Sequence, residues 1–279
     1  MRVVPASDLS ISDLAAVWRE AYAGYFVPLQ FDEAQLARHV RWSGIDLVLS
    51  VVGFEGDEPF GLSLAARARD EAWIGGFGVA PDFRRMGLAT RLMQAHVERL
   101  DAAGVASTRL EVIDVNPAIE VYRRAGFGET RELQVWEGVL AGDGEPGVAM
   151  SRAELAEAHA RLHSAEPSWR RGFGRLCAIL DDTEARPIGI ARDGRIVAFA
   201  VVLDLPDRFG LFDAAAEDEA AGLSLLSALA AVRAEAQMRV VDEPDDTPLA
   251  LALKAAGFKR TIRQFEMVRP RGGGRAPTP

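Results

Sequence analysis

Residues 73–92 read WIGGFGVAPDFRRMGLATRL, and this stretch decides the fold of the chain around it. Its apolar beginning predicts a β-strand, which Pro81 ends because proline has no backbone N–H for a strand ladder. Apolar residues recur at helical spacing from Leu88 to Val97, so a helix is predicted from about Gly87. We therefore interpret the stretch as a strand, a turn and a helix.

The turn between this strand and this helix is basic and contains small residues; it reads Arg84, Arg85, Met86, Gly87, Leu88 and Ala89. A residue without a side chain lets an extended ligand lie against the backbone. The free N–H groups of the first helical turn favour an anion, and arginine holds phosphate in a forked geometry. The turn is interpreted as a pyrophosphate cradle, with a solvated surface turn as the alternative for this stretch alone.

A second motif follows at residues 108–129, which read TRLEVIDVNPAIEVYRRAGFGE. A strand is predicted from Leu110 to Val115, followed by a turn and a short helix. Gly126 ends that helix, and Phe127 begins another strand.

Together the two motifs resemble those of the GNAT superfamily of acetyl-CoA-dependent N-acetyltransferases. The pattern V-x-P-x-x-R-x-x-G-x-A is carried by Val79, Pro81, Arg84, Gly87 and Ala89. The pattern L-E-V…N…A-x-x-x-Y-x-x-x-G-F is carried by Leu110, Glu111, Val112, Asn116, Ala118, Tyr122, Gly126 and Phe127. The resemblance covers roughly residues 1 to 140. It departs from the family at Asn116, which is followed directly by Pro117-Ala118, one residue short of the usual spacing.

The resemblance implies that acetyl-CoA is the acyl donor and that the two central parallel strands splay apart to admit pantetheine. The implied donor-binding residues are Phe77, Val79, Arg84, Arg85, Met86, Gly87, Leu88, Ala89, Thr90 and Asn116. The amine then attacks the thioester directly in a ternary complex, without an acyl-enzyme. A backbone N–H at Val79 or nearby stabilises the oxyanion.

The resemblance also implies a catalytic role for Tyr122, and Glu111 is the candidate for the general base. Tyr122 protonates the leaving thiolate in this interpretation, and the alternative is a tyrosine that only packs. Many family members place a glutamate on the fourth strand as general base, but this chain has Gly75 and Gly76 there. Glu111 is the next candidate through a water molecule, followed by Asp114, and a structural carboxylate is the alternative for both.

The segment between residues 18 and 42 is rich in aromatic residues. One interpretation is that it forms a wall of the acceptor pocket, lined by some of Tyr22, Tyr25, Phe26 and Trp42. The other interpretation is that the aromatic side chains pack helices against the core, as is expected for Trp18, Tyr22, Phe31 and Trp42.

The second half of the chain repeats the first more weakly. Nine residues separate Pro117 from Gly126, and nine separate Pro248 from Gly257. When the halves are aligned on Phe77 and Phe212, the acidic residues Glu217, Asp218 and Glu219 fall in the phosphate turn. When they are aligned on Pro117 and Pro248, Leu253 falls opposite Tyr122. Carboxylates repel a pyrophosphate, so the second copy is predicted to be degenerate.

These observations predict an α/β protein with two tandem GNAT-like domains, each a mixed central sheet flanked by helices. Residues 1–140 are the predicted catalytic domain, 141–150 a linker, 151–269 the degenerate domain and 270–279 a disordered tail. The linker is rich in glycine and acidic residues, which is typical of a loop.

Composition narrows the function classes for this chain of 279 residues. The net charge of −9 argues against nucleic acid as the main partner, because phosphate backbones require a basic surface. Cys177 is the single cysteine, and with four histidines no metal-ligand spacing stands out. The N-terminus lacks the features of a signal peptide and no stretch is apolar enough to span a bilayer, so we expect a cytoplasmic protein, monomeric or homodimeric.

The predicted function is acetyl transfer from acetyl-CoA to the primary amine of a small molecule. One alternative is the same chemistry on a protein or peptide amine. Mycothiol synthase, a tandem GNAT family, offers a third substrate class, although no residue selects it. A further alternative is a non-catalytic acyl-CoA sensor, which the missing fourth-strand glutamate favours and Tyr122 opposes.

Overall fold

The computed structural model describes residues 1–27, 29–142, 144–205 and 208–273. The chain forms two compact units, and the predicted α/β class is confirmed. The first unit consists of Met1–Arg131 together with Phe265–Pro279, and the second consists of Glu132–Gln264. No helix in the described ranges is both long and apolar enough to cross a membrane.

The first unit contains a mixed sheet flanked by helices. Its elements are β1 (Arg2–Pro5), α1 (Ile11–Ala21), α2 (Glu33–Ser43), β2 (Val51–Glu55), β3 (Glu58–Ala68), β4 (Glu71–Val79), α3 (Leu88–Ala102), β5 (Ser107–Ile113) and α4 (Ile119–Arg124). Strands β1 to β5 are neighbours in that order. The predicted strand and helix of residues 73–92 are therefore β4 and α3.

The boundaries of these elements follow local chemistry. Helix α1 begins after Ser10, whose side chain accepts a hydrogen bond from the Asp13 N–H at 3.1 Å. Strand β5 ends two residues earlier than predicted, because the Asn116 N–H turns back to Ile113 O at 2.9 Å. Val115, predicted on this strand, lies in the turn instead, and its side chain is exposed.

The second unit contains a sheet with the order β10-β9-β8-β7. Its elements are β7 (Val148–Ala149), α5 (Arg152–Leu162), α6 (Phe173–Asp182), β8 (Arg186–Arg192), β9 (Arg195–Leu205), β10 (Arg208–Ala216), α7 (Glu219–Val232), β11 (Gln237–Glu243) and α8 (Pro248–Ala255). Strand β11 pairs with a further strand, β6 (Gly128–Val139), whose neighbour is β12 (Lys259–Pro270). Helix α6 was not predicted from the sequence; it carries Cys177, whose side chain is half-buried.

The compact units do not coincide with the predicted boundaries at residues 140, 150 and 269, because the unit boundaries fall inside two strands. Strand β6 begins in the first unit and ends in the second, whereas β12 begins in the second unit and ends in the first. In the first unit β12 is the neighbour of β5, whereas in the second unit β6 is the neighbour of β11. The assignment of one catalytic and one degenerate domain stays a prediction.

The predicted linker and tail are partly structured. Val148–Ala149 form β7 inside the predicted linker, and Asp143 lies outside the described residues. The predicted tail begins at Pro270, which is the last residue of β12, and a short 3-10 turn follows at Arg271–Gly273. Residues 274–279 lie outside the described residues.

Candidate active site

The candidate site lies in the first unit, where β4 and β5 diverge. Among the described residues, these parallel strands pair only over Glu71–Trp73 and Ser107–Arg109. Strand β4 continues to Val79 and β5 to Ile113 without pairing to each other. The result is a gap between two strands whose backbone groups face it, which is the splay that the sequence motifs imply.

Two N–H groups of β4 face this gap. Strands β3 and β4 are antiparallel, Leu62 lies opposite Gly78, and the Ala80 N–H donates to Phe60 O at 2.8 Å. Antiparallel strands alternate between residues that bond to the partner and residues that point away from it. Because Gly78 and Ala80 bond toward β3, Phe77 and Val79 direct their N–H groups toward β5.

Tyr22 occupies the first of these donors. Its hydroxyl accepts a hydrogen bond from the Phe77 N–H at 3.0 Å. Tyr22 follows the last turn of α1, and its ring stacks on Trp18 with 4.3 Å between centroids. This contact brings helix α1 to the fourth strand and leaves the Val79 N–H as the next donor along the gap.

All three tyrosines of the chain lie together at this gap. The rings of Tyr22 and Tyr25 meet edge to face at 5.2 Å. Burial, and then the proximity of Tyr22 and Tyr25, raises the pKa of Tyr122 well above its usual value of 10.0. Tyr122 therefore keeps its proton at neutral pH and has the protonation state of an acid.

The Tyr122 ring is also part of the core. It lies 5.6 Å from the Phe77 ring and 6.0 Å from the Phe127 ring, both edge to face. Tyr122 therefore packs in the core, as the alternative interpretation of this residue predicted. Packing and proton donation are compatible, because the ring packs while the hydroxyl is a separate group.

The turn after β4 presents backbone donors to solvent. Arg85 and Gly87 have φ angles of 63° and 76°, and α3 starts at Leu88 without a side-chain cap. The first hydrogen bond of the helix runs from the Arg91 N–H to Gly87 O at 3.2 Å, so the preceding N–H groups have no acceptor within the helix. These groups belong to Leu88, Ala89 and Thr90. Their dipoles point where a phosphate is expected.

The side chains of the turn divide into two groups. Arg85 and Met86 are exposed, as is the backbone of Gly87. The Leu88 side chain is buried among apolar residues that include Phe60. Leu88 therefore offers its backbone N–H and not its side chain to a ligand.

Arg84 holds the turn to the rest of the first unit. Its Nε donates to Val79 O at 2.9 Å, and one terminal nitrogen donates to Ala23 O at 2.8 Å and to Ala21 O at 3.3 Å. The sequence predicted Arg84 as a phosphate ligand. The structure gives it three carbonyl partners, and Arg85 is the neighbouring guanidinium on the exposed side of the turn.

Glu111 lies on β5 and accepts a hydrogen bond from Trp73 Nε1 at 2.7 Å. This bond crosses between β4 and β5 at the point where the strands separate. The carboxylate is half-buried, and it fixes the indole that stands beside the fourth strand. The structure thus gives Glu111 a definite structural partner, and its role as a base stays a prediction.

The glycines of β4 explain why a fourth-strand glutamate is missing. A Cβ on Gly75 would lie 2.2 Å from the Trp73 ring, and a Cβ on Gly76 would lie 2.4 Å from the Trp18 ring. Both distances are far below van der Waals contact, so a side chain at either position would displace an indole. Two tryptophans thus take the space that a carboxylate side chain at either position would need.

His39 is a residue of this site that the sequence analysis missed. Its Nε2 donates to Gly75 O at 3.0 Å, and its ring lies 5.5 Å from Trp18 and 6.3 Å from Trp73. A lone histidine in helix α2 gives no local signal of this contact, because Gly75 is 36 residues away. The only indication was the aromatic character of the surrounding segment.

Asn116 makes local contacts. Its Oδ1 accepts a hydrogen bond from the Ala118 N–H at 2.9 Å, and its Nδ2 donates to the Tyr25 hydroxyl at 3.4 Å. The short Asn-Pro-Ala spacing therefore produces a turn closed by the asparagine side chain. The contact of Asn116 with pantetheine that the resemblance implies stays a prediction.

The aromatic segment combines both interpretations drawn from the sequence. Trp18 is only 2% exposed and stacks on Phe31 at 5.0 Å, so these rings pack the core. Phe26 is 53% exposed, and its ring meets that of Tyr25 at 5.4 Å. Phe26 and the half-buried Tyr25 and Trp42 therefore stay candidates for lining an acceptor pocket.

Comparison with known proteins agrees with this geometry. Residues 13–127 match the model of the acetyltransferase (GNAT) family. The chain is 30% identical over 135 residues to the [ribosomal protein bS18]-alanine N-acetyltransferase of Salmonella typhimurium, which covers 44% of this chain and 80% of that relative. The chain belongs to the GNAT family. It is therefore an acetyl-CoA-dependent acyltransferase.

Two solved structures share the fold of this GNAT protein. A putative acetyltransferase from Pyrococcus horikoshii matches with a TM-score of 0.67 and 17% identity, covering 99% of this chain and 90% of the other. A tandem GNAT protein from the clavulanic acid biosynthesis pathway matches with a TM-score of 0.69 and 13% identity, covering 99% of both chains. The tandem arrangement predicted from the repeated motifs is thereby confirmed.

Proposed function

We propose that this protein transfers the acetyl group of acetyl-CoA to the primary amine of a small molecule, at the gap between β4 and β5. The observation that carries the proposal is the divergence of these strands after Trp73 and Arg109, with the Val79 N–H facing the gap next to the Phe77 N–H that Tyr22 holds. An extended amide-bearing chain such as pantetheine can pair with such an unpaired strand edge.

The donor pyrophosphate is placed at the turn that follows β4. Leu88, Ala89 and Thr90 supply backbone N–H groups there, and Arg85 supplies the exposed positive charge. Arg84 supports this turn through its bonds to Val79 O and Ala23 O. The absence of a side-chain cap on α3 is consistent with a ligand that takes its place.

The residues of the gap supply the chemistry of a direct transfer. The Val79 N–H, directed into the gap, stabilises the negative charge that develops on the thioester oxygen. Tyr122 is protonated at neutral pH and gives its proton to the leaving thiolate. Glu111 accepts the proton of the attacking amine through water in this proposal, while its bond to Trp73 keeps the carboxylate in place.

Two observations bear on the acceptor. The rings of Trp18, Phe31 and His39 pack against one another beside β4, which restricts the space on this side of the gap and favours a small amine. The second candidate is a peptide N-terminus, which is favoured by the name of the Salmonella relative, an alanine N-acetyltransferase of a ribosomal protein.

The second unit supports the prediction of a degenerate copy. The Asp218 side chain caps α7 by accepting from the Ala221 N–H at 2.7 Å, and it also pairs with Arg192 at 2.9 Å. A carboxylate of the chain therefore lies at the helix start that would otherwise attract a phosphate. Gly222, aligned with Gly87, lies inside α7 rather than at its start.

The test is turnover of acetyl-CoA with two acceptor panels, one of small primary amines and one of short peptides beginning with alanine. Release of CoA and an acetylated small amine, identified by mass spectrometry, is expected. Selective acetylation of the peptides would replace the small-molecule proposal with the second candidate. Binding of acetyl-CoA without turnover on either panel would instead indicate a sensor.

A further inference from the structure

A buried cluster of charged residues lies in the second unit, between β10 and β11. These strands occupy the positions of β4 and β5 in the repeat, since β10 follows β9 and precedes α7 as β4 follows β3 and precedes α3. Among the described residues β10 and β11 do not pair with each other. Strand β10 is the edge strand of the four-stranded sheet, and β11 is the edge strand of the eight-stranded sheet. The second unit therefore has its own gap.

The guanidinium of Arg171 spans this gap. On the β10 side, Nε donates to Asp213 Oδ1 at 2.7 Å and a terminal nitrogen donates to Ala214 O at 2.5 Å. On the β11 side, the other terminal nitrogen donates to Asp242 O at 3.2 Å and to the Glu243 carboxylate. One side chain thus bonds to the backbone and to a carboxylate of both strands.

The surroundings of Arg171 complete a binding site for a planar cation. Its side chain is only 3% exposed. Burial alone would lower the pKa of Arg171, but the carboxylates of Glu243 and Asp213 outweigh burial and raise it. Further donors hold these carboxylates in place: Thr247 bonds to Glu243, and His163 Nε2 donates to Asp213 Oδ2 at 2.9 Å. The fork of donors is matched by acceptors fixed on both sides.

Two histidines of the cluster also have the spacing of metal ligands. His159, His163 and Asp213 bring ligand atoms within 4.8 Å of one another. However, His159 Nε2 donates to Arg171 O at 2.9 Å, and Asp213 is already paired with the Arg171 guanidinium. His159 and Asp213 thus already have hydrogen-bond partners on Arg171, and the guanidinium supplies the positive charge of the cluster. The arginine therefore explains the arrangement better than a metal ion.

We propose that the gap between β10 and β11 is a guanidinium-binding site that the chain fills with its own Arg171, in the space that the pantetheine arm of an acyl-CoA would need. The second unit then binds no acyl-CoA because an internal ligand occupies its gap. That last consequence rests on the proposed function, which places the donor in the corresponding gap of the first unit; the guanidinium site itself does not.

The site extends to solvent through a small pocket. His163, Arg171, Glu243 and Thr247 are among the residues that line it. A small guanidinium compound can therefore reach the cluster once the arginine side chain has been removed. This access makes chemical rescue the appropriate experiment.

The experiment compares the melting temperatures of Arg171→Ala and Arg170→Ala in the full chain, with and without millimolar methylguanidinium. Arg170 is the matched control, because it pairs with Asp242 at 2.6 Å but has a half-exposed side chain. Arg171→Ala leaves two buried carboxylates without their cation, so a loss of about 10–20 °C is expected. Methylguanidinium is expected to recover part of this loss in a saturable manner, and to have no such effect on Arg170→Ala.

Arg171→Lys serves if the alanine variant does not fold. Lysine keeps the charge but lacks the fork, so a melting temperature below that of the unchanged protein is expected. A melting temperature equal to that of the unchanged protein would overturn the proposal. So would an Arg171→Ala protein that gains no more from methylguanidinium than Arg170→Ala does, or stoichiometric zinc in the purified protein that His163→Ala removes.

The consequence for acyl-CoA is measured separately by calorimetry. One acetyl-CoA site per chain is expected in the unchanged protein. Two sites would overturn the claim that Arg171 closes the second gap. No binding at all would refute the proposed function of the first unit, whereas the rescue experiment would still decide whether Arg171 is an internal ligand.

Discussion

At the residue scale, the candidate site depends on side chains whose partners are backbone groups. The Tyr22 hydroxyl takes the Phe77 N–H, His39 takes Gly75 O, and Arg84 takes Val79 O. Each of these bonds fixes a point on β4, and the Val79 N–H stays directed toward the gap. Two predictions follow at this scale. One concerns the proton of Tyr122, and the other concerns the different roles of Arg84 and Arg85.

Tyr122→Phe is expected to lower kcat by about 100-fold or more, because the leaving thiolate loses its proton donor while the ring still packs against Phe77 and Phe127. The dissociation constant of acetyl-CoA should stay unchanged, and the two parameters are measured by steady-state kinetics and calorimetry. An unchanged kcat would show that Tyr122 only packs. Tyr25→Phe is the control for removal of a neighbouring phenol.

Arg84→Ala and Arg85→Ala are expected to separate stability from donor binding. Arg85→Ala should raise the dissociation constant of acetyl-CoA about tenfold without changing the free energy of unfolding, because the guanidinium is exposed and has no ion-pair partner within the described ranges. Arg84→Ala should also lower the free energy of unfolding by about 1 kcal/mol, because it removes bonds to Val79 O and Ala23 O. Urea denaturation and calorimetry measure the two effects, and equal behaviour of both variants would contradict this account.

At the element scale, β4 is shaped by two indole rings, one from Trp73 of the strand itself and one from Trp18 of α1. Gly75 and Gly76 leave room for the Trp73 and Trp18 rings. Gly78 leaves room for α1, since a Cβ on Gly78 would lie 3.0 Å from Ala21 Cβ. The same glycines remove the carboxylate that many relatives use. Packing of the fourth strand and the choice of the general base are therefore linked.

Gly76→Ala is expected to lower the free energy of unfolding by roughly 1–3 kcal/mol, because the new methyl group would meet the Trp18 ring at 2.4 Å. Trp18 cannot move aside easily, since it is buried and stacked between Tyr22 and Phe31. Chemical denaturation measures the change.

Gly174→Ala is the matched control for that substitution. Gly174 lies in helix α6, and a Cβ there would have nothing within 4 Å. Alanine should stabilise this helix by roughly 0.5–1 kcal/mol. A loss of stability in Gly174→Ala, or none in Gly76→Ala, would show that the contact with Trp18 is not the cause.

At the scale of the whole molecule, the burial of one histidine links stability to pH. In the first unit His96 is fully buried, with its Nδ1 2.6 Å from Ser63 Oγ. Burial, and then the charge of Arg99, lowers the pKa of His96 from 6.5 to about 3. Between these two pKa values, the unfolded chain therefore binds a proton at His96 that the folded chain does not bind.

This difference predicts a dependence of stability on pH. Because the folded pKa is the lower one, the contribution of His96 is fully present above pH 6.5 and is lost as the pH falls toward about 3. The loss amounts to about 1.4 kcal/mol per pH unit for one proton. We expect hydrogen exchange of α3 to accelerate more between pH 6 and pH 5 than in His96→Gln, after correction for intrinsic rates. Equal changes in both proteins would exclude His96 as the source.

Much of the first unit was predictable because its signals are local. The strand, turn and helix of residues 73–92 follow from periodicity and turn chemistry, and β4 and α3 match the prediction closely. The spacing of Tyr122 to Gly126 likewise places that tyrosine at the gap. The sequence also predicted a different second copy, from its acidic residues at the start of α7 and from Leu253.

Other features were decided only by tertiary structure. The partners of Tyr22 and His39 lie 55 and 36 residues away in the chain. The partners of the Arg171 guanidinium lie more than 40 residues away. The passage of β6 and β12 from one unit to the other moved the unit boundaries away from the glycine-rich segment. By itself the sequence determined the elements, the repeat and the family, because periodicity, turn residues and motifs are local. Tertiary structure decided which polar groups meet across the strands, since a buried donor finds its acceptor through folding and not through proximity in the chain.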